Sequence, residues 1–109
     1  MATTYKVLGQ SAPAATTEAD LYTVPAATSA IVSTITVANR GSTAGTYRVY
    51  ARKAGAVAAN AQYLIYDVSL PATSADTLTL GITLAATDVV SVYASTANFS
   101  FNAFGTELS

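Results

Sequence analysis

From Thr77 to Leu84 the chain reads TLTLGITL, with an aliphatic residue at every second position. Leu78, Leu80, Ile82 and Leu84 fall on one side of an extended backbone and Thr77, Thr79, Gly81 and Thr83 on the other, because successive strand side chains point to opposite faces. The spacing predicts a strand with a leucine face in a core and a threonine face in water. The same period returns elsewhere. Tyr47, Val49 and Ala51 alternate with Thr46, Arg48, Tyr50 and Arg52, which predicts a strand whose outer face presents both arginines with Tyr50 between them. From Ile31 to Val37 β-branched residues crowd together, and their stiff χ1 angles disfavour a helix and suit a pleated surface. Here Ile31, Ile35 and Val37 are assigned to one face, and Val32, Thr34 and Thr36 to the other. Tyr63 to Leu70 and Val89 to Ala94 are apolar on both faces in places, as strands are when covered on two sides or lying at a subunit contact. Phe99, Phe101 and Ala103 alternate near the C-terminus.

Turn formers separate these runs. Asn39 to Gly45 (NRGSTAG) links two strands through glycines that tolerate positive φ, and Pro25 and Pro71 each stop a ladder by lacking an N–H. Lys53 to Ala61 (KAGAVAANA) has alanines at helical spacing, but Gly55 and its short length favour a loop. Strands every 8 to 12 residues or so, about seven or eight in all, indicate an all-β fold: a single antiparallel β-sandwich or jelly-roll-like barrel. The expected core is Ile31, Ile35, Val37, Val49, Leu78, Leu80, Ile82, Leu84, Val90, Val92 and Phe101. Residues 1–17 read as a flexible N-terminal arm or linker and 18–109 as the sandwich domain, because QSAPAATT from Gln10 has no periodicity and little to bury. Tyr5, Val7 and Leu8 ahead of it suffice to add a strand to a sheet, in this subunit or in the next.

Composition limits the chemistry. A chain of 109 residues is one ordinary domain. Charged residues are 10% of it and the net charge is −1, so no basic field exists to hold nucleic acid. No apolar run approaches the roughly 18 residues of a membrane span, and the opening MATTYKVLGQ has no signal-peptide pattern; a soluble protein that stays in the compartment where it is made is expected. Histidine and cysteine are absent, which removes the commonest general base, metal ligands, thiolate nucleophiles and disulfides together. Among the carboxylates only Glu18 and Asp20 are close in sequence; on an extended segment they share a face and could contribute to a weak cation site, with a solvated loop the favoured reading. Asp76 and Asp88 follow Ala or Thr beside turn residues, where aspartates hold loop amides. Asn98, Phe99 and Ser100 match the glycosylation tripeptide, a pattern short enough to arise by chance. No catalytic, metal or cofactor site is assigned, and an enzyme is not expected.

Surface character remains. Seven tyrosines and no tryptophan stand in the chain, and tyrosine beside arginine is interface composition, since the ring supplies area at small entropy cost. Arg48, Tyr50 and Arg52 are one candidate contact patch, and Tyr5, Val7 and Leu8 another. The runs LYTVPAATSAIVSTITVANR from Leu21, TYRVYARKAGA from Thr46, LTLGITLAATDVVSVYAS from Leu78 and NFSFNAFGTEL from Asn98 resemble the small virion structural proteins of tailed bacteriophages, cyanophages especially. The resemblance implies a β-rich, non-enzymatic protein assembled in many copies in a virion inside the host cytoplasm. It implies a capsid decoration or cement role, with the major capsid protein or other virion subunits as partners and a homo-oligomer, a trimer as first expectation. The alternative it leaves open is a tail, baseplate or fibre component, or a glycan-binding adsorption module.

Overall fold

A chain whose apolar residues alternate with polar ones must bury one face of each strand, and it does so here by laying two antiparallel sheets against each other. The computed structural model describes residues 2–109, and among them nine strands. They are β1 (Thr3–Ser11), β2 (Ala19–Thr23), β3 (Ser29–Asn39), β4 (Gly45–Arg52), β5 (Tyr63–Leu70), β6 (Ser74–Leu78), β7 (Ile82–Leu84), β8 (Val89–Ala94) and β9 (Phe99–Leu108). The first sheet has the order β1-β9-β3-β6, and the second β2-β8-β4-β5. Short β7 lies end to end with β6 along β3, pairing with Ala30 to Val32 while β6 pairs with Ile35 to Asn39. The chain crosses between sheets after β1, β2 and β3, stays in the second sheet for β4 and β5, and returns for β6. This is the wrapped strand order of a jelly roll, and the all-β sandwich expectation holds.

The core lies between the sheets. Ile35, Val37, Val49, Val90, Val92 and Phe101 are fully enclosed, as their alternation requires, together with Val32, Phe99 and Ala103. Tyr47, Phe99 and Phe101 form its aromatic centre, with ring centroids 6.2 to 6.4 Å apart. The Lys53 to Ala61 segment is a loop opened by a short 3-10 turn at Lys53–Gly55, and a second such turn follows at Asn60–Gln62.

Three expectations are corrected. Thr77 to Leu84 is not one strand: it breaks between β6 and β7, where Gly81 takes φ +63, so Leu80 turns outward and is 40% exposed. Leu78 and Ile82 pack only partly against the core. In β3 the register against β9 shifts between Val32 and Thr34. This bulge at Ser33 reverses the faces, so Val32 points inward while Ile31 is 40% exposed. The expected arm is the third. Thr3–Ser11 pairs with β9 of its own subunit, Leu8 packs against the core, Pro13 is buried, and the Thr16 amide donates to the Ala94 carbonyl at 2.8 Å. Met1 lies outside the described residues.

Leu80→Ala, worth about 2–5 kcal/mol at a buried site, is therefore expected to change stability by less than about 1 kcal/mol at this exposed turn. Urea denaturation checks it, and a loss of core size would restore the unbroken strand.

Candidate functional site: the two outer sheet faces

The outer face of the second sheet is organised by Arg48. On β4 it stands opposite Tyr93 of β8. Toward β5 the register runs from Tyr47–Val68 to Val49–Ile65, so Tyr66 and Asp67 together oppose the single residue Arg48. Asp67 at φ 50 is part of this bulge. The Arg48 guanidinium consequently donates to both Asp67 carboxylate oxygens, at 2.6 and 3.2 Å, and lies 4.4 Å from the Tyr66 ring centre and 4.2 Å from that of Tyr93. It is a forked ion pair between two aromatic faces.

Tyr50 corrects the sequence reading. It shares this outer side yet is only 2% exposed, because Tyr63 of β5 leans on it at 4.9 Å and its hydroxyl donates to Glu18 at 2.6 Å. Arg52 is likewise held within the chain: it donates to Asp20 at 2.8 Å, to the Ser91 hydroxyl at 3.0 Å, and to the Gly55 and Ala56 carbonyls at 3.1 and 3.0 Å. The predicted Arg48–Tyr50–Arg52 row thus exists on one face, but its polar ends are bound to Asp67, Glu18 and Asp20 of the same chain. Glu18 and Asp20, considered for a cation, serve as those partners. Beside the row, Asn60, Tyr63 and Tyr66 line an open depression of about 390 Å³.

The remaining carboxylates tie parts of the sandwich together. Tyr47 in the second sheet donates to Asp76 of β6 in the first at 2.8 Å. Asp76 thus points between the sheets instead of holding a loop. Tyr22 on β2 donates to Glu107 of β9 at 2.5 Å, and Lys6 reaches the other Glu107 oxygen at 2.7 Å. Asp88 does hold loop amides, accepting from Ala54 at 2.8 Å and Ala85 at 2.9 Å. Burial, followed by the bond to a carboxylate, pushes the Tyr22, Tyr47 and Tyr50 hydroxyls well above the usual tyrosine value. Hydrogen bonds from Arg48, from the two loop amides and from Lys6 hold Asp67, Asp88 and Glu107, respectively, below the ordinary carboxylate range.

The signs set the pH dependence. The depressed carboxylates contribute stability that is complete above their unfolded values of about 4 and is lost as pH falls through the lower folded values. The raised tyrosines contribute stability that is complete below about 10 and is lost as pH climbs toward their folded values. Thermal melts are therefore expected to hold a plateau between these limits and fall on both sides. Asp88→Asn should weaken the acid limb, and an unchanged limb would remove Asp88 from the account.

The outer face of the first sheet is of another kind. Registered pairing puts Tyr5, Thr106, Ile31 and Thr83 in one row, Val7, Phe104 and Thr34 in the next, and Gln10, Asn102, Thr36 and Thr77 in a third. The chain has five basic and six acidic side chains, and none rises from this face of a strand. Lys6, Asp76 and Glu107 belong to the strands of the sheet but occupy the inward positions, alongside Gly105, Val37 and Ala30. Tyr5 is 81% exposed, and Val7, Ile31 and Phe104 are also exposed. Tyr5 and Val7 therefore do share an outer face, as contact residues would, while Leu8, carried inward by the bulge between Val7 and Gly9, does not. Sequence reasoning missed Ile31 and Phe104 as members of this surface, since only the register places them beside Tyr5 and Val7.

No protein-family model matches the chain, and no curated protein matches it.

Proposed function

We propose that this chain is a non-enzymatic structural subunit of a virion, a decoration or cement protein that binds the outer capsid surface in many copies and stabilises the shell. The observation that carries this reading is the outer face of the first sheet, with exposed Tyr5, Val7, Ile31 and Phe104 and no charged side chain rising from its strands on that side. Depletion of charge with exposed aromatic and aliphatic groups is the composition of a protein contact. The resemblance to phage virion proteins supports the particle context, and jelly rolls recur in viral capsid and lectin domains, although a fold by itself does not fix a function. The partners in this reading are the major capsid protein or other virion subunits and further copies of the chain. Nucleic acid, membrane and cofactor have no part in it, and assembly takes place in the host cytoplasm.

A tail, baseplate or fibre position, or a glycan-binding role in adsorption, is the second reading. It is favoured by the depression at Asn60, Tyr63 and Tyr66, where Tyr66 is 56% exposed and offers a ring on which a sugar could stack. Quantitative mass spectrometry of purified particles separates the two. Hundreds of copies per particle support decoration, a few dozen or fewer support the tail, and absence from the particle overturns both.

A further inference from the structure

We infer that the uncharged outer face of the first sheet packs against the same face of a second copy of this chain, in a two-fold pairing of sheet on sheet. The inference deepens the structural reading above: it rests on it in treating this face as a protein contact, and makes a further copy of the chain, rather than the major capsid protein, the partner seated there. Three observations select a second copy.

The first is charge. A partner surface carrying Lys, Arg, Asp or Glu at its middle would lose hydration against strands that offer no opposite charge. The partner must therefore be uncharged over the middle of the contact. The second sheet of a neighbouring copy does not qualify, because the half-buried Arg48 and the exposed Asp67 stand on its outer side. The same face of another copy does qualify, and thereby complements itself, as an isologous contact must.

The second observation is size. Four strand positions about 4.8 Å apart and about 3.3 Å per residue along β9 give a plane of roughly 600 Å². That is of the same order as the roughly 800 Å² per partner found in stable interfaces.

The third is the distribution of groups. Val7, Phe104 and Thr34 form a row flanked by the rows of Tyr5 and Gln10, so apolar and threonine groups occupy the middle. Arg40, past the end of β3, folds over the Ser100–Ala38 row at the border of the face, where it donates to the Ser100 hydroxyl at 2.7 Å and the Ala97 carbonyl at 3.2 Å, so the one charge among the described residues that reaches this face lies at its rim. An apolar centre with polar groups at its border is the arrangement of a contact between subunits. A three-fold ring, expected from the resemblance, would require two different complementary patches on each chain, whereas this face fits itself.

Sedimentation equilibrium of the full chain tests the pairing. A dimer is expected at micromolar concentration, with its dissociation constant raised roughly 100-fold or more by Phe104→Lys. Thr36→Lys, in the next row of the same face, should act in the same direction, and Ser69→Lys on the outer side of the second sheet should leave the dimer intact. Far-UV circular dichroism and the melting of each variant as a monomer show whether it has folded. A chain that stays monomeric at high micromolar concentration overturns the inference, as does a dimer lost only with Ser69→Lys. A monomer in solution that is nonetheless present in hundreds of copies per particle overturns the pairing and leaves the virion role standing. A dimer broken by Phe104→Lys in a chain absent from particles supports the pairing and removes the virion role.

Discussion

Phe101→Ala is expected to destabilise the domain by about 3–5 kcal/mol, the largest effect of any single truncation considered. Phe101 has no exposed surface and stands in β9, the central strand between β1 and β3, opposite Ser11 on one side and Val37 on the other. Its ring meets Tyr47 edge-on at 6.2 Å across the gap between the sheets and Phe99 at 6.4 Å along its own strand. Removing it takes atoms from both layers at once, and the sheets, tied by Tyr47–Asp76 and Tyr22–Glu107, resist closing over the void. Urea denaturation measures the loss. A value below about 1 kcal/mol would mean that the sheets do collapse there, or that β9 is faced the other way.

Gly9→Ala separates an integral first strand from a free arm. After the bulge at Leu8, Gly9 lies opposite Ala103, and a methyl group on it would run into the backbone carbonyl of Leu21 in β2. The added atom must push β1 away from the second sheet, at an expected cost of about 1–3 kcal/mol. In a flexible arm the same change would be neutral or slightly stabilising, since alanine restricts the unfolded chain. The sign of the measured difference therefore decides where residues 3–11 reside.

Strand character was legible in the sequence wherever two-residue alternation ran unbroken. From Phe99 to Ala103 β9 alternates without interruption, and Phe99, Phe101 and Ala103 are buried as the pattern requires. One cause of failure is the single residue that changes the parity. The bulges at Leu8, Ser33 and Asp67 each set two residues against one, and a one-residue shift turns every later side chain to the opposite face. Ile31 was assigned inward for that reason, and Leu80 because the break at Gly81 reads like any other position in an alternating run. Tyr50 shows a different limit: its own strand places it outward, and only the crossing of Tyr63 from β5 buries it. The contact surface was half legible. Tyr5 and Val7 stand out, with Leu8, as residues able to add a strand to a sheet, but the missing charge around them is a property of three paired strands. In sequence Lys6 and Glu107 interrupt those strands, and only the register shows that both point inward.

The most direct test of the account compares tyrosine nitration in the isolated and assembled states. Tyr5, 81% exposed, stands on the face of the first sheet assigned to contact, and Tyr66, 56% exposed, on the outer side of the second. Both should react with tetranitromethane in the monomer. In the assembled state Tyr5 should become shielded while Tyr66 continues to react, as read by peptide mass spectrometry. Shielding of Tyr66 with Tyr5 still reactive would contradict the account and place the contact on the arginine-bearing sheet.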